Sequence, residues 1–127
     1  MKVEDIERLN SLVAVRLAID TAGFAKMSLM HKRLAMPYYG FVDVAIPDCP
    51  VVAMFSANDD FVALKILWEG CFEPASLALW SCMVEDRPHG IVDIGAYTGI
   101  YSLIAAAQSP RARILALEPI DRMYARV

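Results

Sequence analysis

The sequence predicts an α/β fold in which helices and a β-hairpin precede a strand, turn, helix, strand unit with parallel strands. Three observations predict it. Ile91-Val92-Asp93-Ile94 is a β-favouring run that leads straight into Gly95, with Gly99 following after Ala96, Tyr97 and Thr98. Glycine suits that place because the chain must reverse without a Cβ in the way, and because a ligand can then approach the backbone closely. Tyr101-Ser102-Leu103-Ile104-Ala105-Ala106-Ala107 reads as a helix whose N-terminus opens at the turn. Arg113-Ile114-Leu115-Ala116-Leu117-Glu118-Pro119 then reads as a second buried strand ending in a carboxylate. Two strands joined by a helix imply a parallel pair with a right-handed crossover.

The upstream elements follow from periodicity and punctuation. From Val3 to Ala22, Ile6, Leu9, Val13 and Leu17 recur at helical spacing while Glu4, Glu7 and Arg8 face outward. Leu12, Val15 and Ile19 fall on the other side, so the second half of this helix calls for a cover. Gly23 breaks it, and Phe24 to Met36 continues as a second helical stretch. That stretch ends before Pro37, because the residue preceding proline avoids the helical region. Phe41 to Ile46 and Val51 to Phe55 read as strands, and Pro47-Asp48-Cys49-Pro50 between them as the turn of a hairpin. Asn58-Asp59-Asp60 offers a cap for a helix from Phe61 to Trp68, which Gly70 closes. Pro74 suits the first turn of the next helix, running to about Val84. Residues 1–88 thus form a helical and hairpin region, and residues 89–127 begin the parallel-strand domain.

Composition narrows the classes. A chain of 127 residues is long enough for one domain with a sizeable core. Apolar residues make up 57% of it and mean hydropathy is +0.43, which raises the question of a membrane. Arg16, Lys26, Lys32, Lys65 and Glu69 interrupt the apolar stretches, so no run approaches the ~18 residues a span requires. Glu4, Asp5, Glu7 and Arg8 stand where a secretory signal would be apolar, so a soluble cytoplasmic chain is expected. A net charge of -3 argues against a nucleic-acid surface, and the arginines at 111, 113, 122 and 126 read as solvated positions. Cys49, Cys71 and Cys82 show no metal-ligand spacing and read as reduced, partly buried thiols. With only His31 and His89 besides, no metal site is expected. Neither G-x-S-x-G nor H-E-x-x-H is present, which leaves hydrolase chemistry without support.

The glycine spacing selects among nucleoside cofactors. A dinucleotide fingerprint requires G-x-G-x-x-G, whereas here Gly95 and Gly99 are four apart, with Tyr at 97 and Ile at 100. The string from Val92 to Ser102, together with Glu118-Pro119, resembles the first motif of S-adenosylmethionine-dependent methyltransferases with a Rossmann-like core, and within them the FkbM family. That family commonly shows Asp-Ile-Gly-Ala-Asn-x-Gly, then Tyr-Ser or Tyr-Thr, then Glu-Pro at the second strand. Phe72-Glu73-Pro74 is similar to its Tyr-Glu-Pro segment, so the likeness covers roughly residues 41 to 127. Tyr97 stands where the family commonly has Asn, and an aromatic ring there either narrows the cofactor pocket or stacks on the ligand.

The resemblance implies the N-terminal part of a Rossmann-like class I methyltransferase fold, with S-adenosylmethionine held by Asp93, Gly95, Ala96, Tyr97, Gly99 and Glu118. Methyl transfer to an oxygen of a small molecule or sugar is then the expected activity. Asp93, in an apolar strand, must find backbone amides or the cofactor's ammonium group. Glu118 has two readings: a contact to ribose hydroxyls, expected of a strand-end acid about 20 residues past such a turn, or a cap on a neighbouring helix. Glu73 is equally suited to a helix N-terminus and to a ligand. No catalytic residue is assigned. A nicotinamide-dependent oxidoreductase and a noncatalytic interaction module retaining half of the fold are the alternatives. A Rossmann-like sheet of about seven strands does not fit between Ile91 and Val127, so the sequence reads as an N-terminal fragment. Such a fragment is expected to be inactive alone and to self-associate through an open sheet edge.

Overall fold

A computed structural model of the chain describes residues 26–85 and 90–125. The helix expected from Val3 to Ala22, and the start of the one expected from Phe24, lie outside the described residues. What remains is a mixed fold in which the helix that follows the glycine turn lies between two small sheets.

The first sheet is the hairpin. α1 (Leu29–Ala35) begins behind Ser28, whose Oγ accepts from the His31 amide, and ends at Met36, just before Pro37. β1 (Gly40–Val44) and β2 (Val52–Ser56) then pair antiparallel, Val42 opposite Met54 and Phe41 opposite Phe55. Alternation sorts the two faces. Val42, Val44 and Met54 are buried inward, while Phe41 and Phe55 meet edge-on outside with ring centroids 5.5 Å apart.

α2 (Phe61–Glu69) starts at Asp60, whose Oδ1 accepts from the amides of Val62 and Ala63 at 2.8 and 3.3 Å. It stops at Gly70, which takes φ +80, a left-handed value that glycine adopts without a Cβ penalty. α3 (Pro74–Val84) begins with proline in its first turn, where the missing N–H leaves no intrahelical bond unmade. These boundaries agree with the sequence to within a residue because each is set by a local signal.

The second sheet is the parallel pair. β3 (Ile91–Ile94) and β4 (Ile114–Leu117) run parallel, Ile91 opposite Ile114 and Ile94 opposite Leu117, joined through α4 (Ile100–Gln108). A short α5 (Asp121–Tyr124) follows. α4 packs against β2 and α3 on one side and against β3 and β4 on the other. Ile100 and Ile104 enter the core with Val42, Met54, Ala63 and Leu77, and Trp80 of α3 donates from its indole Nε1 to the carbonyl of Tyr101 at 2.8 Å. The opposite face of the parallel pair is bare: Val92, Ile94, Leu115 and Leu117 are all exposed, Ile94 by 81%. Among the described residues no helix is long and apolar enough to cross a membrane.

Candidate functional site

The turn between β3 and α4 is built by hydrogen bonds to the neighbouring strand. The amides of Gly95 and Ala96 both donate to the carbonyl of Leu117, at 2.8 and 3.0 Å, and the Gly99 amide closes the turn onto the Ala96 carbonyl at 2.7 Å. Gly95 and Gly99 take φ +80 and +77, where an L side chain is strained. A Cβ added at Gly95 would meet nothing within 4 Å, so the backbone there borders open space.

Glu118 completes the turn. It leaves the end of β4 with its Oε2 accepting from the Tyr97 amide at 2.7 Å and its Oε1 from the Ile120 amide at 2.8 Å. The parallel register brings the strand-end carboxylate and the glycine turn to the same end of the sheet. Glu118 thereby anchors the turn to the segment entering α5, and each carboxylate oxygen retains a lone pair beyond its present bond.

Asp93 takes a different direction from Glu118. It lies on the face of β3 covered by α4, and its Oδ2 accepts from the Ser102 hydroxyl at 2.7 Å. The expected partner was a backbone amide or a ligand; a hydroxyl one turn into α4 supplies the bond instead. Ser102 is thus part of the site, and its place nine residues after Asp93 was visible in the sequence although the pairing was not.

Tyr97 is the strained member, held at φ +53 in the left-handed region that Asn and Gly tolerate and aromatic residues rarely adopt. Its ring leaves the turn and packs against the core near α2. Thr98 is 3% exposed, and its Oγ1 has no hydrogen-bond partner among the described residues. It borders an open cavity of about 220 Å³ with Gly99, Ser102 and Ala116. Gly99 is the N-cap of α4 and offers no side-chain cap, so the orphan amides of the first turn have no side-chain acceptor there.

Phe72-Glu73-Pro74 reaches the same helix. Glu73 takes φ +41 directly before Pro74, and its Oε2 accepts from the Tyr101 hydroxyl at 3.1 Å. Burial raises the Tyr101 phenol above its ordinary pKa, and the Glu73 carboxylate raises it further by bonding and repelling the charged form. The two segments singled out in the sequence therefore meet side by side.

The remaining sequence candidates stay apart from the turn. His31 is exposed and bonds to Ser28 Oγ, and His89 lies outside the described residues. The three cysteines are free, with Cys49 half-buried; Cys71 and Cys82 are exposed, where partial burial was expected. Among the described residues no group of three or more His, Cys, Asp or Glu side chains could hold a metal ion. Comparison with protein-family models, with curated proteins and with solved structures finds no match.

Proposed function

We propose that the β3–α4 turn binds S-adenosylmethionine, and that the protein belongs to methyl-transfer chemistry of the FkbM type, directed at a hydroxyl of a small molecule or sugar. The observation that carries this reading is the convergence of Glu118 on the glycine turn, 2.7 Å from the Tyr97 amide, in a parallel βαβ unit. A strand-end acid beside such a turn is where α/β folds grip ribose hydroxyls. Three further features fit a bound nucleoside with an amino-acid tail. Open space lies over Gly95, a buried Thr98 hydroxyl lacks a partner among the described residues, and the first turn of α4 suits a carboxylate.

Glu118 would hold the ribose, and the α4 N-terminus the carboxylate of the tail. Asp93, fixed by Ser102, would place negative charge near the ammonium group. The cofactor supplies an already electrophilic methyl group on sulfonium, so the chain's task is to orient it and exclude water. With Tyr at 97 and Ile at 100, the turn that begins at Gly95 lacks the second and third glycines of a dinucleotide fingerprint, which sets the nicotinamide reading second.

Calorimetric titration with S-adenosylmethionine, S-adenosylhomocysteine and NAD tests the proposal. Both sulfur ligands should bind, and Glu118→Gln should weaken them about tenfold by replacing a charge-assisted hydrogen bond with a neutral one. Binding of NAD alone would reverse the order of the two readings.

A further inference from the structure

An open groove lies where α1, α2 and the glycine turn meet. Leu29, Met30 and Arg33 come from α1, Phe61 and Leu64 from the start of α2, and the Tyr97 ring from the turn. Leu64 is buried, whereas Met30 is 58% exposed and Phe61 54%. Leu34, one helical turn beyond Met30 on α1, is 72% exposed. Asn58 fixes α1 to the loop before α2: its Nδ2 donates to the Arg33 carbonyl at 3.5 Å, and its Oδ1 accepts from the Tyr38 amide at 3.3 Å. Large apolar side chains bordering one groove on a fixed helix pair mark a face that another element covers.

The chain itself carries a segment suited to that face. Ile6, Leu9, Val13 and Leu17, outside the described residues, recur in the sequence at helical spacing, and anchors so spaced are what a helix laid in an apolar groove presents. The described chain begins at Lys26, three residues before Leu29, so this segment is tethered at a wall of the groove. Two antiparallel helices need a loop of only about 2 to 5 residues, and residues 23–28, opening with Gly23, supply it. Charge agrees with this placement. Arg33 is half-buried and has no ion-pair partner among the described residues, while Asp20 continues the line of Val13 and Leu17 three residues on. The tether also decides between the two bare apolar surfaces. α1 packs on α2 and α2 on the hairpin, whereas the exposed face of the parallel pair looks away from α4.

We propose that this groove is the docking site of the chain's own N-terminal segment, with Val13 and Leu17 seated between Met30 and Phe61 and with Asp20 beside Arg33. Docking there reaches the glycine turn, because Tyr97 borders the groove with its ring and donates to Glu118 from its amide. The inference goes beyond the cofactor reading and does not depend on it.

The test uses the full chain without S-adenosylmethionine, so its failure leaves the cofactor titration standing. Nuclear Overhauser contacts should join the methyl groups of Val13 and Leu17 to the Met30 methyl and the Phe61 ring. An isotope-filtered mixture of labelled and unlabelled chains should show these contacts to be within one molecule. Met30→Glu combined with Phe61→Glu places an acid in the first turn of each helix, where it suits the helix dipole, and makes the groove polar. Amide hydrogen exchange over residues 6–19 should then accelerate about tenfold or more, as expected when the burial of one or two large apolar side chains is lost, while the α2 amides keep their protection. The Tyr97 amide resonance should shift in the same variant. Contacts from Val13 and Leu17 to Ile94 or Leu117 instead, contacts between molecules, no contacts at all, or exchange over residues 6–19 unchanged in the variant would each overturn the assignment.

Discussion

Tyr97 concentrates two opposing demands on one residue. Its backbone sits at φ +53, which costs an ordinary L residue about 1 kcal/mol, while its ring packs against the core and returns part of that cost. Substitution by Asn and by Ala removes the ring equally, but only Asn tolerates the left-handed conformation. Tyr97→Asn should therefore be more stable than Tyr97→Ala by about 1 kcal/mol in urea unfolding. Tyr101 offers a second test, read by pH. Its phenol is raised above 10.0 by burial first and by Glu73 second. The folded state therefore resists ionisation, and this contribution is fully present below pH 10 and lost as pH rises through the folded value. Spectrophotometric titration should show Tyr101 ionising late together with Tyr38, whose phenol is raised by burial and by Asp43, and Glu73→Gln should bring back Tyr101 alone toward the ordinary value.

Elements in this chain begin and end where short-range chemistry says they should. Asp60 is fully buried and accepts from two first-turn amides of α2, so its carboxylate both caps the helix and fixes the loop from β2. Asp60→Ala should cost about 1 to 2 kcal/mol, and Asp60→Asn distinctly less because the amide oxygen remains an acceptor. Thermal unfolding of the two variants checks the order. The caps at Asp60 and Gly70, the proline opening α3 and the hairpin turn were legible because each needs only neighbouring residues. The Asp93 to Ser102 bond was not, since a carboxylate in an apolar strand demands a partner without specifying which one.

At the scale of the molecule, the two faces of the parallel pair have different fates. α4 covers Ile91, Asp93, Ile114 and Ala116, whereas Val92, Ile94, Leu115 and Leu117 form a continuous exposed apolar face. An apolar face of that kind, on a sheet that has two strands among the described residues, favours association with another surface. Sedimentation velocity should show the chain self-associating as concentration rises. Ile94→Lys combined with Leu117→Lys should shift it toward the monomer, with little loss of stability because both side chains face solvent.

Among the described residues the sequence by itself determined the order of elements, the boundaries of α2 and α3 and the parallel unit, because periodicity, caps and glycine turns act over a few residues; the helix expected from Phe24 begins only at Leu29. It also singled out Gly95, Gly99 and Glu118, whose roles follow from backbone conformation and strand position. Tertiary structure alone decided that α4 lies between the hairpin and the parallel pair, and that Glu118 accepts from the Tyr97 amide with one oxygen and from the Ile120 amide with the other. It also decided that Arg33, Phe61 and Tyr97 line one groove. Those three residues are separated by 28 and 36 positions in the chain, and only the packing of α1 and α2 beside the glycine turn brings them together. Local pattern carries no information about such meetings, because which faces pack is settled by the burial of the whole apolar surface at once.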